Sequence, residues 1–197
     1  MQKVMILGCC GAGKSTLAQQ MAAILHLPLL HLDAHFWKSG WVESESEDWK
    51  QSVAALLEQE TWVMDGNYSG TLDLRLPHAD TIVFLDLPHW LCLWRIGKRW
   101  WQYRGTTRPD MAANCPERLD WEFLKYVWTF PRKKRPKILQ RLQQLPDTQQ
   151  LIVLRSPAEV EAYVRSLEET ASCHRCELDN HGATGGVISN PTRSLGT

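Results

Sequence analysis

Five short apolar runs punctuate the chain, separated by longer stretches of helical periodicity. They are Lys3–Leu7, Leu29–Leu32, Thr61–Met64, Thr81–Leu85 and Leu151–Leu154. Continuous apolar runs of this length predict strands buried on both faces, because a half-exposed strand would alternate instead. Between the first two, Leu17, Met21, Ile24 and Leu25 recur at helical spacing. Helix starts are legible as capping boxes at Ser44 with Glu47, Asn114 with Glu117, and Ser156 with Glu159. Pro131 and Pro136 are expected to break the helical pattern between Leu119 and Leu145. Strands alternating with helices predict an α/β fold with a parallel sheet covered on both sides. In such sheets ligands gather at the carboxyl ends of the strands.

Those ends carry the chemistry. The first run opens into Gly8-Cys9-Cys10-Gly11-Ala12-Gly13-Lys14-Ser15, the pattern G-x-x-x-x-G-K-[ST] between a strand and a helix. Glycines let the backbone N–H groups turn inward around a phosphate chain, and the helix start adds its partial positive charge. Gly8, Gly11, Ala12, Gly13, Lys14, Ser15 and Thr16 are therefore the expected nucleotide-binding residues. Lys14 is placed to reach the β- and γ-phosphates and Ser15 to bind Mg²⁺.

Three other strands end in aspartate. A phosphate-loop enzyme needs a second acidic group for Mg²⁺, directly or through water; Asp65 is preferred and Asp86 is the second choice. Asp33 is a candidate to orient an acceptor hydroxyl or help remove its proton, with His35 and Trp37 lining the acceptor space. Arg95 and Arg99 lie one turn apart, a repulsive pair that makes sense with an anion over it. From Arg95 to Arg108 the chain holds five basic residues and no acid. A loop-like stretch at 105–109 within it suggests an arginine-bearing lid, at about residues 103–118, that closes over the phosphates. A solvated basic helix is the plainer reading of the same residues.

Composition narrows the classes. The chain has 197 residues and a formal net charge of zero, so no global field points to a nucleic acid or a membrane. No apolar run is long enough to span a bilayer, and the N-terminal run is too short for a secretory signal. Six cysteines without a disulfide-like spacing suggest reduced thiols and a cytoplasmic setting. Most of the ten tryptophans, including Trp90, Trp94, Trp121 and Trp128, fall at helical spacing and are expected to pack in the core or lid. From about residue 169 to 197 the periodicity stops, and a disordered tail is expected after a domain spanning 1–168. Cys173, Cys176 and His181 in that tail make only half of a zinc site.

The phosphate loop, His31-Leu32-Asp33, Met64-Asp65-Gly66-Asn67-Tyr68, Phe84-Leu85-Asp86-Leu87-Pro88 and Arg95-Ile96-Gly97-Lys98-Arg99 together resemble the adenylate-kinase-like P-loop kinases. Within them the chain is most similar to the FlaR-type "DNA topology modulation protein" family. The resemblance implies a P-loop NTPase fold with a five-stranded parallel sheet of order 2-3-1-4-5, a helical lid and ATP with Mg²⁺. It implies support of the metal by Asp65 and phosphate contacts from Arg95, Arg99 and the lid's Arg108. The arginine that follows Asp-Gly in adenylate kinases is absent here, and Arg75 is the candidate to replace it as the grip on an acceptor. The expected activity is transfer of the γ-phosphoryl group of ATP to a small-molecule acceptor, a nucleoside or nucleotide among the options. The competing reading is a nucleotide-dependent regulatory or DNA-associated protein, suggested by the basic run from Arg132 to Arg141 and the many aromatics.

Overall fold

A computed structural model describes residues 1–197 except 107–109, 113, 117–119 and 183–197, with backbone alone for 174–182. Five parallel strands form the main sheet: β1 (Lys3–Gly8), β2 (Leu29–His31), β5 (Trp62–Asp65), β6 (Thr81–Leu85) and β7 (Gln150–Leu154), in the order β2-β5-β1-β6-β7. Counting only these strands, the order is the expected 2-3-1-4-5. Every residue of β5 and β6 is buried, as is β1 from Val4 on, so successive side chains pointing to opposite faces both meet protein. Burial of each such Leu, Ile or Val contributes about 1.5–3 kcal/mol.

Helices α1 (Lys14–Leu25) and α8 (Pro157–Gly182) pack together. A second group contains α5 (His89–Tyr103), α6 (Trp121–Lys133) and α7 (Arg135–Leu142). After β2 come a one-turn helix α2 (Leu32–Phe36), a two-stranded hairpin of β3 (Trp37–Lys38) and β4 (Val42–Glu43), and α3 (Ser46–Leu57). A short α4 (Leu72–Arg75) precedes β6.

Register brings the chemistry to one edge. On β1, Ile6 pairs with Asp65 of β5 and Gly8 with Leu85 of β6. His31 of β2 pairs with Asp65 from the other side. The strand-end residues therefore face the mouth of the loop that follows β1.

Several local expectations change. The Ser44 hydroxyl does not cap α3; it donates to the Phe36 carbonyl at 2.6 Å and closes the β3–β4 hairpin, while α3 starts later, at Ser46. The Ser156–Glu159 box does form, with Glu159 accepting from the Arg155 N–H and the Ser156 hydroxyl accepting from the Glu159 N–H. Asp120 caps α6 through the Phe123 N–H at 2.7 Å. Pro131 sits inside α6, which ends only two residues later, and Pro136 lies in the first turn of α7.

Of the segment expected to be disordered from residue 169, the backbone through Gly182 is helical, as the continuation of α8. Val164 and Leu167 are the last buried apolar residues of α8 among those whose side chains are described. The half zinc site lies, beyond Cys173, outside the residues whose side chains are described.

The tryptophans are the largest surprise. Trp90, Trp94, Trp121 and Trp128, expected in the core or lid, are 60–77% exposed. Cys92 and Ile96 bury the inner face of α5, and Val127 and Phe130 that of α6. At 100° per residue the tryptophans point the other way.

Candidate functional site

The loop after β1 is built on glycines that nothing larger can replace. Gly11 has φ +79°, and a Cβ there would lie 2.5 Å from the Cys92 carbonyl oxygen. A Cβ on Gly8, at φ +149°, would lie 2.7 Å from the Leu85 carbonyl oxygen. The loop thus sits directly on β6 and α5. Gly13 begins α1 in the left-handed region without a side-chain cap, so the first N–H groups of α1 are left for a ligand in the loop. Lys14 Nζ donates to the Cys9 carbonyl at 3.2 Å, folding over the loop it follows. Ala12 is buried in the turn, and Thr16 is exposed on the first turn of α1.

Beside the loop, the Ser15 hydroxyl donates to Oδ2 of Asp65 at 2.8 Å. His31 Nδ1 lies 2.6 Å from the other carboxylate oxygen, Oδ1. Burial pulls the His31 imidazole toward the neutral form. The hydrogen bond to Asp65 and the charges of Asp65, Asp110 and Asp33 outweigh it, and its pKa ends above the ordinary value. Asp65 is 5% exposed, so its carboxylate is held by two partners in a nearly dry place.

Asp86 has a different job. Its two oxygens accept from Nε and Nη2 of Arg135 at 2.6 and 2.7 Å, a bidentate pair tying β6 to α7. Of the two strand-end acids considered for Mg²⁺, only Asp65 is paired with the loop serine.

Asn67 clasps the loop from β5. Its Oδ1 accepts from the Gly8 N–H at 3.1 Å and its Nδ2 donates to the Gly8 carbonyl at 2.7 Å. The next residue, Tyr68, has φ +27°, a strained value for a bulky side chain. Its hydroxyl donates to Oδ1 of Asp33 at 2.6 Å. Burial first, then the charge and hydrogen bond of Asp33, push the Tyr68 phenol far up, so it stays a donor. Phe36, Trp49 and Tyr68 are in mutual ring contact, and Phe36 meets Trp37, forming an aromatic wall beside Asp33. His35 is drawn below the ordinary histidine value, first by burial and then by His31.

The hairpin roofs this side. Trp41 Nε1 donates to the Pro116 carbonyl at 3.1 Å, and the Gly40 N–H donates to the Asn114 carbonyl at 3.2 Å. The segment after the expected lid arginine is thus docked on β3 and β4. Arg108 itself lies outside the described residues.

The arginines divide. Arg95 Nη1 donates to the Ala12 carbonyl at 2.9 Å, fixing α5 to the loop. Arg99 lies close enough to Cys10 to favour its thiolate, although burial dominates and raises the Cys10 thiol. Arg75 is not on the acceptor side. It is fully buried, and its guanidinium donates to the carbonyls of Gly66 at 3.1 Å, Asn67 at 2.6 Å and Tyr68 at 3.3 Å. Burial draws it down to about 10, yet it remains a cation at neutral pH. It braces the turn from beneath, which corrects the expectation that it replaces an acceptor-gripping arginine.

Sequence reasoning passed over His31, Asn67 and the Tyr68 hydroxyl. The signal for His31 was its place at the end of β2, in register with Asp65. A cavity of about 640 Å³ lies at the opposite, amino end of the strands beside Lys3, Asp80 and Gln149. It is remote from all of this chemistry.

The loop, its uncapped helix start and the all-oxygen Ser15–Asp65 pair fit a nucleotide polyphosphate with a hard divalent cation.

No protein-family model matches the chain, and no curated protein shows significant sequence similarity to it. Solved structures do resemble it. A shikimate kinase from Acinetobacter baumannii, in complex with shikimate, aligns with a TM-score of 0.51 at 14% identity, over 93% of this chain and 96% of that one. A gluconokinase from Sinorhizobium meliloti 1021 aligns at 0.47 and 15% identity, over 91% of this chain and 97% of that one. A shikimate kinase from Bacteroides thetaiotaomicron aligns at 0.46 and 16% identity, over 86% of this chain and 97% of that one. The first similarity shows a shared fold, an α/β architecture with a five-stranded parallel sheet.

Proposed function

We propose that this protein is a small-molecule kinase that uses ATP with Mg²⁺. The observation that carries the reading is the Ser15–Asp65 hydrogen bond at the mouth of a phosphate-binding loop, with the Asp33–Tyr68 pair on the neighbouring strand end. The loop amides from Gly8 to Thr16 and the Lys14 ammonium would hold the phosphates. Ser15 and Asp65 would hold Mg²⁺, Asp65 through water. Bound there, ATP–Mg²⁺ supplies the transferable phosphoryl group and neutralises charge on its oxygens.

The rest is done by the protein. Asp33 orients the acceptor hydroxyl through Oδ2 and takes its proton as the oxygen becomes nucleophilic, while Tyr68 fixes Oδ1. Lys14, Arg95 and Arg99, with Arg108 from a lid at 103–118, stabilise negative charge that shifts onto the leaving oxygens. The aromatic wall and the docked hairpin exclude water, which favours transfer over hydrolysis. Residues 1–168 form the kinase-like domain in this reading.

The test is incubation of purified protein with γ-labelled ATP, Mg²⁺ and a fractionated extract of small metabolites, followed by mass spectrometry. A phosphorylated product that disappears in Lys14→Ala supports the proposal. Clean nucleotide binding with no transfer to any fraction overturns it.

A further inference from the structure

Five of the ten tryptophans are exposed, and all five lie on two neighbouring helices. Trp90, Trp94 and Trp101 stand at i, i+4 and i+11 on α5, one straight stripe along its outer side. Trp121, Lys125, Trp128 and Arg132 stand at i, i+4, i+7 and i+11 on α6, a stripe of the same pitch in which cations alternate with rings. The helices pack against each other, and His89 at the start of α5 meets Trp128 late in α6 at 5.1 Å between ring centroids. The stripes therefore run side by side and antiparallel, making a two-dimensional array.

An exposed apolar patch of this kind marks an interaction surface. Its charge selects the partner. On α5 there is no carboxylate and on α6 only Glu122, whereas Lys98, Lys125, Arg132 and Lys133 are exposed. Lys98 lies 5.6 Å from the centroid of the Trp94 ring, so cation and ring form one mixed face. A second copy of the chain would bring these cations against each other. A single nucleic-acid strand would follow one line of rings in a charged groove. Here the rings spread over two helix exteriors. A planar anionic surface meets both stripes at once.

We propose that the outer face of α5 and α6 docks on an anionic lipid bilayer. Indole rings settle at the headgroup level, where their apolar body and N–H group are both accommodated, and the lysines and arginines meet lipid phosphates. This departs from the sequence expectation of no membrane partner. A net charge of zero averages over faces, and a docked face needs only local charge. Among the described residues no helix is long and apolar enough to cross a bilayer, so the contact is peripheral.

The experiment is co-sedimentation and tryptophan emission of the full chain with vesicles of phosphatidylcholine alone and of phosphatidylcholine mixed with phosphatidylglycerol. The expected result is binding to the anionic vesicles, a blue-shifted emission, and release by salt. Lys98→Glu with Lys125→Glu should weaken partitioning by roughly fivefold for each cation removed. Trp94→Ser with Trp128→Ser should abolish the blue shift. Circular dichroism and ATP–Mg²⁺ calorimetry check that each variant remains folded and competent for nucleotide. No binding of folded protein to anionic vesicles at low ionic strength overturns the proposal. So does unchanged binding in both double variants. Binding of single-stranded oligonucleotide, or tryptophan-dependent self-association, in place of vesicle binding also overturns it.

Discussion

The Ser15 hydroxyl and the Asp65 carboxylate, fifty positions apart in sequence, meet at 2.8 Å. The hydrogen bond exists because β1 and β5 are adjacent and in register, which places the end of β5 next to the first turn of α1. The proposed metal support is thereby built into the sheet. Asp65→Asn keeps the shape and removes the charge. Calorimetry should show ATP affinity becoming nearly insensitive to Mg²⁺, with phosphoryl transfer falling by at least about 100-fold. Retained Mg²⁺ dependence would assign the metal to another group.

Asn67 holds Gly8 by both its N–H and its carbonyl. Asn67→Ala removes both of these hydrogen bonds, at a cost of about 1–3 kcal/mol. Thermal unfolding should show that loss, and ATP affinity should drop with it because the loop's entry is no longer pinned.

Tyr68→Phe removes only the hydroxyl that donates to Asp33. A lost hydrogen bond to a charged group is worth about 1.5–3 kcal/mol, or roughly 10–100-fold in transfer efficiency. ATP affinity measured by calorimetry should be unchanged. A matching loss of ATP affinity would make Tyr68 a scaffold for the loop.

Arg75→Met tests the bracing role. Removing the guanidinium strands three carbonyls of the turn, and the folded state should lose about 3 kcal/mol or more in denaturant titrations. Nucleotide affinity should also fall, because Arg75 holds the carbonyl of Asn67, whose side chain pins Gly8 of the loop.

Asp80 supplies a pH signature. Burial works against its charged form, but hydrogen bonds from the Thr81 hydroxyl and the N–H groups of Lys3 and Gln2, together with the N-terminal charge, leave its carboxyl below the ordinary value. A carboxyl depressed by folding stabilises the protein above its unfolded pKa, about 4. That contribution fades as pH falls through the lower folded value. Asp80→Asn should therefore be less stable than the parent at neutral pH, and the gap should close on acidification.

Much of this architecture was legible in the residues. Strands buried on both faces announce themselves as unbroken apolar runs, so β1, β5, β6 and β7 were visible to within a residue or two. The glycine-rich loop is a local pattern and needs no tertiary information. What escaped depends on contacts between distant segments. Arg75 looks like a surface cation in sequence, and only the turn wrapped around it makes it structural. Ser44 has the spacing of a cap, but the hairpin offers its hydroxyl a better acceptor in Phe36. The two-residue strands β3 and β4 are too short for alternation to register. The tryptophans of α5 and α6 were misplaced because helical spacing reports a face and not which face is inward.

Helix α5 touches Ala12 through Arg95 and presents Trp90 and Trp94 to the outside. One helix width, about 10 Å, is all that separates the two contacts. The proposed phosphate loop and the proposed docking face are therefore opposite sides of one rod.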